Sequence, residues 1–250
     1  MERIEKIYNN WQVYQAGYEV YTSKERREFK KLDLFEDKID IMNFEVIHKH
    51  NDVMIIASNE NRLFFIFVGS DDPGDWINNF DAKMLKVSCG IGIHEGFYKS
   101  SFKFYEKIHN EIEYLKSKFP SDCEVSFIGH SRGGAMALIS AYLILDMSNE
   151  IQINIYTYGQ PRVGNHEFDK QLQRINVNYT RVILNHDIVC DVPPIILGYE
   201  HPWFGDIIRL PESWWMKFPI FFKKVHLSYD TIINTKIKKN IIKQLYHHSY

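Results

Sequence analysis

Gly129-His130-Ser131-Arg132-Gly133 is the part of this chain best suited to covalent chemistry. It follows an apolar run, Val125 to Ile128, and leads into AMALISAYLIL, which reads as a buried helix opening near Gly134. A serine at such a strand-to-helix turn is raised above the sheet edge, and the helix N-terminus favours negative charge developing beside it. Side chains two residues before and after the serine would strike neighbouring backbone in so tight a turn, hence glycine at 129 and 133.

A serine hydroxyl needs a base to take its proton and an acid to orient that base; after this kind of turn, acid and then base follow in chain order. Asp187 stands just past the strand-like VNYTRVIL, at the strand end where α/β sheets place reactive groups. Asp191 lies deeper in the same loop, next to Pro193 and Pro194, so Asp187 is the preferred acid. Of the later histidines, His166 and His186 precede the acid, while His247 and His248 sit in a polar tail. That leaves two. His226 opens HLSYDTII, an apolar helix-like segment able to hold an imidazole, whereas His201 lies beside Pro202 among aromatics and reads as a packed or hydrogen-bonding loop histidine. His226 is the preferred base.

The elements around these residues alternate. Ile4, Ile7, Tyr8, Trp11, Tyr14 and Tyr18 recur at helical spacing, and the charged SKERREFKK closes that pattern. Phe44 to Ile47, Val53 to Ala57 and Leu63 to Val68 read as short strands, the last (LFFIFV) apolar throughout, as expected of a strand covered on both faces. Phe97 to Phe119 predicts one helix stopped by Pro120; residues 151 to 158 predict a strand, NHEFDKQLQRI a helix and VNYTRVIL a strand. Such alternation points to a largely parallel sheet with helices on its faces.

Composition sets the outer bounds. The 250 residues suit one large α/β domain, and no repeat, low-complexity tract or linker divides them. Thirty Lys and Arg against 32 Asp and Glu leave a net charge of −2, which argues against a nucleic-acid partner. Cys89, Cys123 and Cys190 are too few for a disulfide framework and lack metal-ligand spacing, so no metal or cofactor is expected. A charged N-terminus and the lack of a long apolar run predict a soluble protein without signal peptide or membrane span.

Five segments in chain order together resemble the class 3 lipases, the fungal triacylglycerol lipase type: IHEGF (from Ile93), GHSRGGAMA (from Gly129), TYGQPRVGN (from Thr157), NHDIVCDVPP (from Asn185) and VHLSY (from Val225). The resemblance spans roughly residues 45 to 230. It implies an α/β-hydrolase fold, a mostly parallel central sheet with helices on both faces, here as a single domain over 1–250 with a helix at about 1–30 packed on it. It implies a serine ester hydrolase, a lipase on acylglycerols, with phospholipase A1 or small-ester esterase activity using identical chemistry, and a lipid- or partner-binding scaffold without turnover as the alternative from another class. The family's triad falls on Ser131, Asp187 and His226.

The family's oxyanion-hole Ser or Thr follows a strand ending in Arg-Gly. Here that stretch is Phe67-Val68-Gly69-Ser70, so Ser70, with the Arg132 backbone N–H, matches the hole while valine replaces the arginine. Asp71 to Asp81 takes the place of the family's lid, with Trp76, Ile77 and Phe80 as its apolar face. The absence of the signal peptide and disulfides of secreted members implies an intracellular lipid or ester substrate. The aromatic segment Trp203 to Lys224, between the acid and the base, reads as an acyl-pocket wall, a transient membrane contact or aromatic core packing.

Overall fold

The computed structural model describes residues 2–22, 30–31, 40–41, 43–69, 81–120, 122–144, 151–174, 177–184, 187–210 and 233. Helix α1 (Glu2–Thr22) opens the chain. The short strands β1 (Lys30–Lys31) and β2 (Asp40–Ile41) then pair with each other. Of the helix expected over about 1–30, residues 2–22 are helical, while Lys30 and Lys31 at its far end are extended.

The antiparallel strands β3 (Asn43–Lys49), β4 (Asp52–Ser58) and β5 (Arg62–Phe67) follow. After the small ribbon of β6 (Met84–Lys86) and β7 (Gly92–His94) come α2 (Glu95–Phe102), α3 (Tyr105–Lys118), β8 (Glu124–His130) and α4 (Arg132–Leu143). The chain continues through β9 (Gln152–Tyr158), α5 (His166–Gln173), β10 (Val177–Leu184) and β11 (Asp206–Leu210). One seven-stranded sheet has the order β11-β10-β9-β8-β5-β4-β3, parallel from β5 through β11 and antiparallel at the β3 to β5 end.

Both sheet faces are covered, and the strands show it residue by residue. Leu63, Phe65 and Phe67 of β5 join the core beneath α2, α3, α4 and α5, while Phe64 and Ile66 join a second core with Ile7, Trp11 and Tyr14 of α1. That explains an apolar run without alternation.

The stretch Phe97 to Phe119 is two helices rather than one. The backbone turns at Lys103 and Phe104, where the Phe104 N–H donates to the Ser101 carbonyl at 3.0 Å. Phe97, Ser101, Phe104, Ile108, Ile112 and Leu115 are all buried, so the period of burial runs unbroken across the turn. Hydrophobic spacing alone therefore carries no sign of the break.

Candidate active site

The turn between β8 and α4 is as tight as its glycines suggest. Ser131 sits at φ 55°, ψ −127°, a combination that costs a non-glycine residue about 1–3 kcal/mol and persists only where its surroundings hold it. They hold it here by hydrogen bonds: the Ser131 N–H donates to the Tyr158 carbonyl on β9 at 2.9 Å, and the Gly134 N–H donates to the Ser131 carbonyl at 2.9 Å. A β-carbon at Gly129 would overlap the backbone of Gly133 and lie 2.6 Å from the Gly134 nitrogen. One at Gly133 would overlap the Phe67 carbonyl, which shows how closely the start of α4 presses on the end of β5. Ser131 is 1% exposed, and its hydroxyl has no hydrogen-bond partner among the described residues.

The end of β5 runs beside this turn. Phe67 is in register with Gly129, and a β-carbon at Gly69 would come within 2.7 Å of the His130 carbonyl. Beneath the turn, Trp11 and Tyr14 of α1 meet the His130 ring edge-on at 6.2 and 6.4 Å, and the Tyr158 hydroxyl donates to the Ile7 carbonyl at 2.8 Å. The N-terminal helix thus supports the serine from the opposite face of the sheet.

Asp187 is three residues beyond β10 and 7% exposed. It caps a 3-10 turn, Ile188–Asp191: the Val189 N–H donates to Oδ1 at 3.0 Å, and the Cys190 thiol donates to Oδ2 at 3.7 Å. Burial, reinforced by the neighbouring Asp187 charge, pushes the Cys190 thiol well above its ordinary range, so it stays a protonated donor. The Asp191 side chain is 73% exposed and pairs with Arg162 at 3.3 Å. Arg162 also donates to the Asp191 carbonyl and, at 2.9 Å, to the Pro193 carbonyl, which clamps the loop after Asp187. Of the two carboxylates, Asp187 is the sheltered one at the strand end and Asp191 belongs to a structural clamp.

His201 fastens the same loop. Its Nε2–H donates to the Cys190 carbonyl at 2.7 Å, and burial, with the positive charges of Arg181, Arg162 and Arg209, pushes its pKa down to about 3. This is the hydrogen-bonding loop histidine expected from the sequence. His94, at the end of β7, caps α2 by accepting the Phe97 N–H at 3.3 Å and stacks on the Phe97 ring at 4.1 Å. Burial holds it neutral, with a pKa of about 4.

Ser131, Arg132 and Asp187 are thus carried to one edge of the sheet by β8, α4 and the loop after β10; His130, Tyr158 and Val182 are mutually in register just before that edge. Ser70, the segment Asp71 to Phe80 with Trp76, Ile77 and Phe80, His226, and residues 211–224 of the aromatic segment lie outside the described residues. Within the described part of that segment, Trp203 is 77% exposed. Sequence reading missed the Arg162 clamp, although TYGQPRVGN contains it, and missed Asp52 and Ser100, which hold the Arg132 guanidinium, and Lys103, which pairs with the same Asp52. Nothing local to those three positions in the sequence marks them. A cavity of about 620 Å³ between α1 and the starts of β5, β8, β9 and β10 is lined by Asn10, Glu124, Asn154 and Asn178, at the sheet edge away from Ser131.

Comparison with known proteins places this geometry in a wider group. Residues 64–197 match the family described as Lipase (class 3). The chain is 30% identical over 184 residues to a lipase of Rhizomucor miehei, covering 67% of this chain and 48% of that protein. It is 35% identical over 165 residues to the secreted mono- and diacylglycerol lipase 1 of Fusarium solani, covering 64% of this chain and 46% of that protein. The chain therefore spans about half the length of these curated relatives. Its structure is similar to the crystal structure of the lipase from Rhizopus microsporus var. chinensis, with a TM-score of 0.71, 21% identity and coverage of 85% of this chain and 76% of the other. That likeness shows a shared α/β-hydrolase fold.

Proposed function

The chain belongs to the class 3 lipase family, and on that premise we propose that it is a serine carboxylester hydrolase acting on acylglycerols through an acyl-enzyme. The observation that carries this reading is Ser131 itself, a buried serine held at a strained φ of 55° where the strand meets the helix. Strain of this kind clusters at active sites, and a serine at a strand-to-helix turn is the position from which a nucleophile acts in this fold.

In the proposed reaction His226 takes the Ser131 proton as the oxygen attacks the ester carbonyl, and the N–H of Arg132, with Ser70, receives the oxyanion. His226 then returns the proton to the departing alkoxide, and water hydrolyses the acyl-serine by the same route. Asp187 holds the imidazole tautomer, and the donors on its two oxygens keep it oriented. The whole of 1–250 is read as one domain, since α1 packs directly on the sheet beneath the serine. Trp76, Ile77 and Phe80 are proposed as the inner face of a lid that opens at a lipid surface. Among the described residues no helix is long and apolar enough to cross a membrane. The three unpaired cysteines suit a reducing, intracellular setting.

A fluorophosphonate label tests the reading. Covalent modification of the wild type, lost in Ser131→Ala, is the expected result; an unlabelled but well-folded wild type would favour a scaffold without turnover. Hydrolysis rates across p-nitrophenyl esters, acylglycerols and phospholipids then separate lipase from phospholipase A1 or esterase.

A further inference from the structure

We propose that Asp52 is a positioning residue for the oxyanion hole, gripping the guanidinium of Arg132 and so fixing the backbone N–H that the hole uses. This rests on the hydrolase reading above and adds to it a part that no local sequence feature announces. Asp52 opens β4 and is 2% exposed, a carboxylate that burial alone would neutralise. It is kept charged by two cations: Arg132 donates to Oδ1, and Lys103 donates to Oδ2 at 2.6 Å. Arg132 also donates to the Ser100 hydroxyl of α2 at 2.8 Å.

The register explains why these groups meet beside the hole. Because β4 runs antiparallel to β5, with Met54 opposite Phe67, the start of β4 lies level with Gly69 at the end of β5. The Val68 N–H donates to the Val53 carbonyl at 3.2 Å, which locks the two strands together at that level. Position 68, where the family carries arginine, is a valine turned into the core under α1. The cation at this end of the sheet comes instead from residue 132, one place after the nucleophile.

Arg132 is also the first residue of α4, so anything that holds its side chain holds the peptide next to Ser131. A guanidinium suits the task because its planar fork fixes direction as well as charge. A buried ion cluster contributes little net stability compared with a packed apolar one, so its benefit here is geometric. The break between α2 and α3 has a consequence in this setting, since it places Lys103 at the turn, within reach of Asp52.

The test is kcat and KM on a soluble p-nitrophenyl ester, per active site counted by fluorophosphonate labelling, for Asp52→Asn, Arg132→Lys and the double variant Asp52→Asn/Arg132→Leu. Removing an oxyanion donor costs roughly 10² to 10³ in kcat, so a displaced one should cost about tenfold in Asp52→Asn, with KM within about twofold. Arg132→Lys keeps the charge but not the fork, and should lose a few-fold in kcat while staying folded. The double variant should regain the melting temperature lost in Asp52→Asn, because the more buried cation, Arg132, is no longer left without its carboxylate and Lys103, 37% exposed, can turn to solvent, without regaining kcat. Lys107→Ala, which breaks a surface pair with Glu45 and Glu111, serves as the unchanged control. Unchanged kcat per labelled site in Asp52→Asn, or recovery of kcat along with melting temperature in the double variant, would overturn the proposal. Failure of the wild type to label would instead overturn the hydrolase reading, and this one with it.

Discussion

Lowering the pH from 7 to 4 should unfold this protein by charging two histidines that the fold keeps neutral. His94 is 4% exposed and held by burial at a pKa of about 4, with Asp81 and Arg132 as its charged neighbours. His201 is held at about 3 by burial and by three arginines. In the unfolded chain both would titrate near 6.5, so below that pH the unfolded state binds protons that the native state excludes, and stability falls as pH falls. Each histidine contributes a slope of about 1.4 kcal/mol per pH unit, from about pH 6.5 down to its native pKa. Between pH 6.5 and 4 the two together remove about 5 to 6 kcal/mol, comparable with the whole stability of many domains. Asp52 acts in a lower window: its pKa is depressed, because its two cations outweigh burial, so its contribution is complete above about 4 and lost only below.

The assay is urea denaturation, followed by tryptophan fluorescence at half-unit steps from pH 7 to 4.5, for wild type, His94→Asn and His201→Gln. Asparagine at 94 can still cap α2 through its side-chain oxygen, so that variant removes the titration while keeping the helix start. Each single variant should halve the dependence of stability on pH, with unchanged m-values. A variant that kept the wild-type slope would show that its histidine is not what acid attacks. Because His94 caps the helix that carries Ser100, and His201 ties down the turn after Asp187, activity should fail over the same pH range as stability.

Asp187→Asn should leave the melting temperature nearly unchanged yet lower kcat on the order of 10⁴, by favouring the wrong imidazole tautomer, whereas Asp191→Asn should alter only loop stability; equal losses in steady-state assays would reject the assignment. His226→Ala should lower kcat by several orders of magnitude, while His201→Ala, which frees the Cys190 carbonyl, should act mainly on stability, and the reverse kinetic pattern would move the base to 201. Gly133→Ala should cost about 1–3 kcal/mol in a denaturation curve and most of the activity, because the new methyl group overlaps the Phe67 carbonyl; a fully active variant would show that the turn is looser than drawn.

Much was legible in the sequence because it is local. The elbow declares itself through Gly129, whose steric need arises within five residues, although Gly133 is required by the Phe67 carbonyl across the sheet, and the run LFFIFV declares burial on both faces because all six of its residues are apolar. Asp187 was preferred over Asp191 for its place at a strand end; in the structure Asp187 is buried there and Asp191 pairs with Arg162. The break between α2 and α3 was invisible, since its burial period is continuous through Phe104, whereas α1 ends at Thr22, where the charged stretch that closes its apolar pattern begins.

What only tertiary structure decided is the company each side chain keeps. Asp52 and Arg132 are 80 residues apart in the chain and meet because β4 runs antiparallel to β5. Trp11 reaches His130 only because α1 folds back across the sheet, and His201 finds the Cys190 carbonyl only once the loop after β10 has curled. Sequence spacing fixes which face of its own element a residue occupies. Pairing across strands depends on register and direction, and those are set by the burial of both sheet faces at once, a property of the whole fold that no short stretch of residues contains.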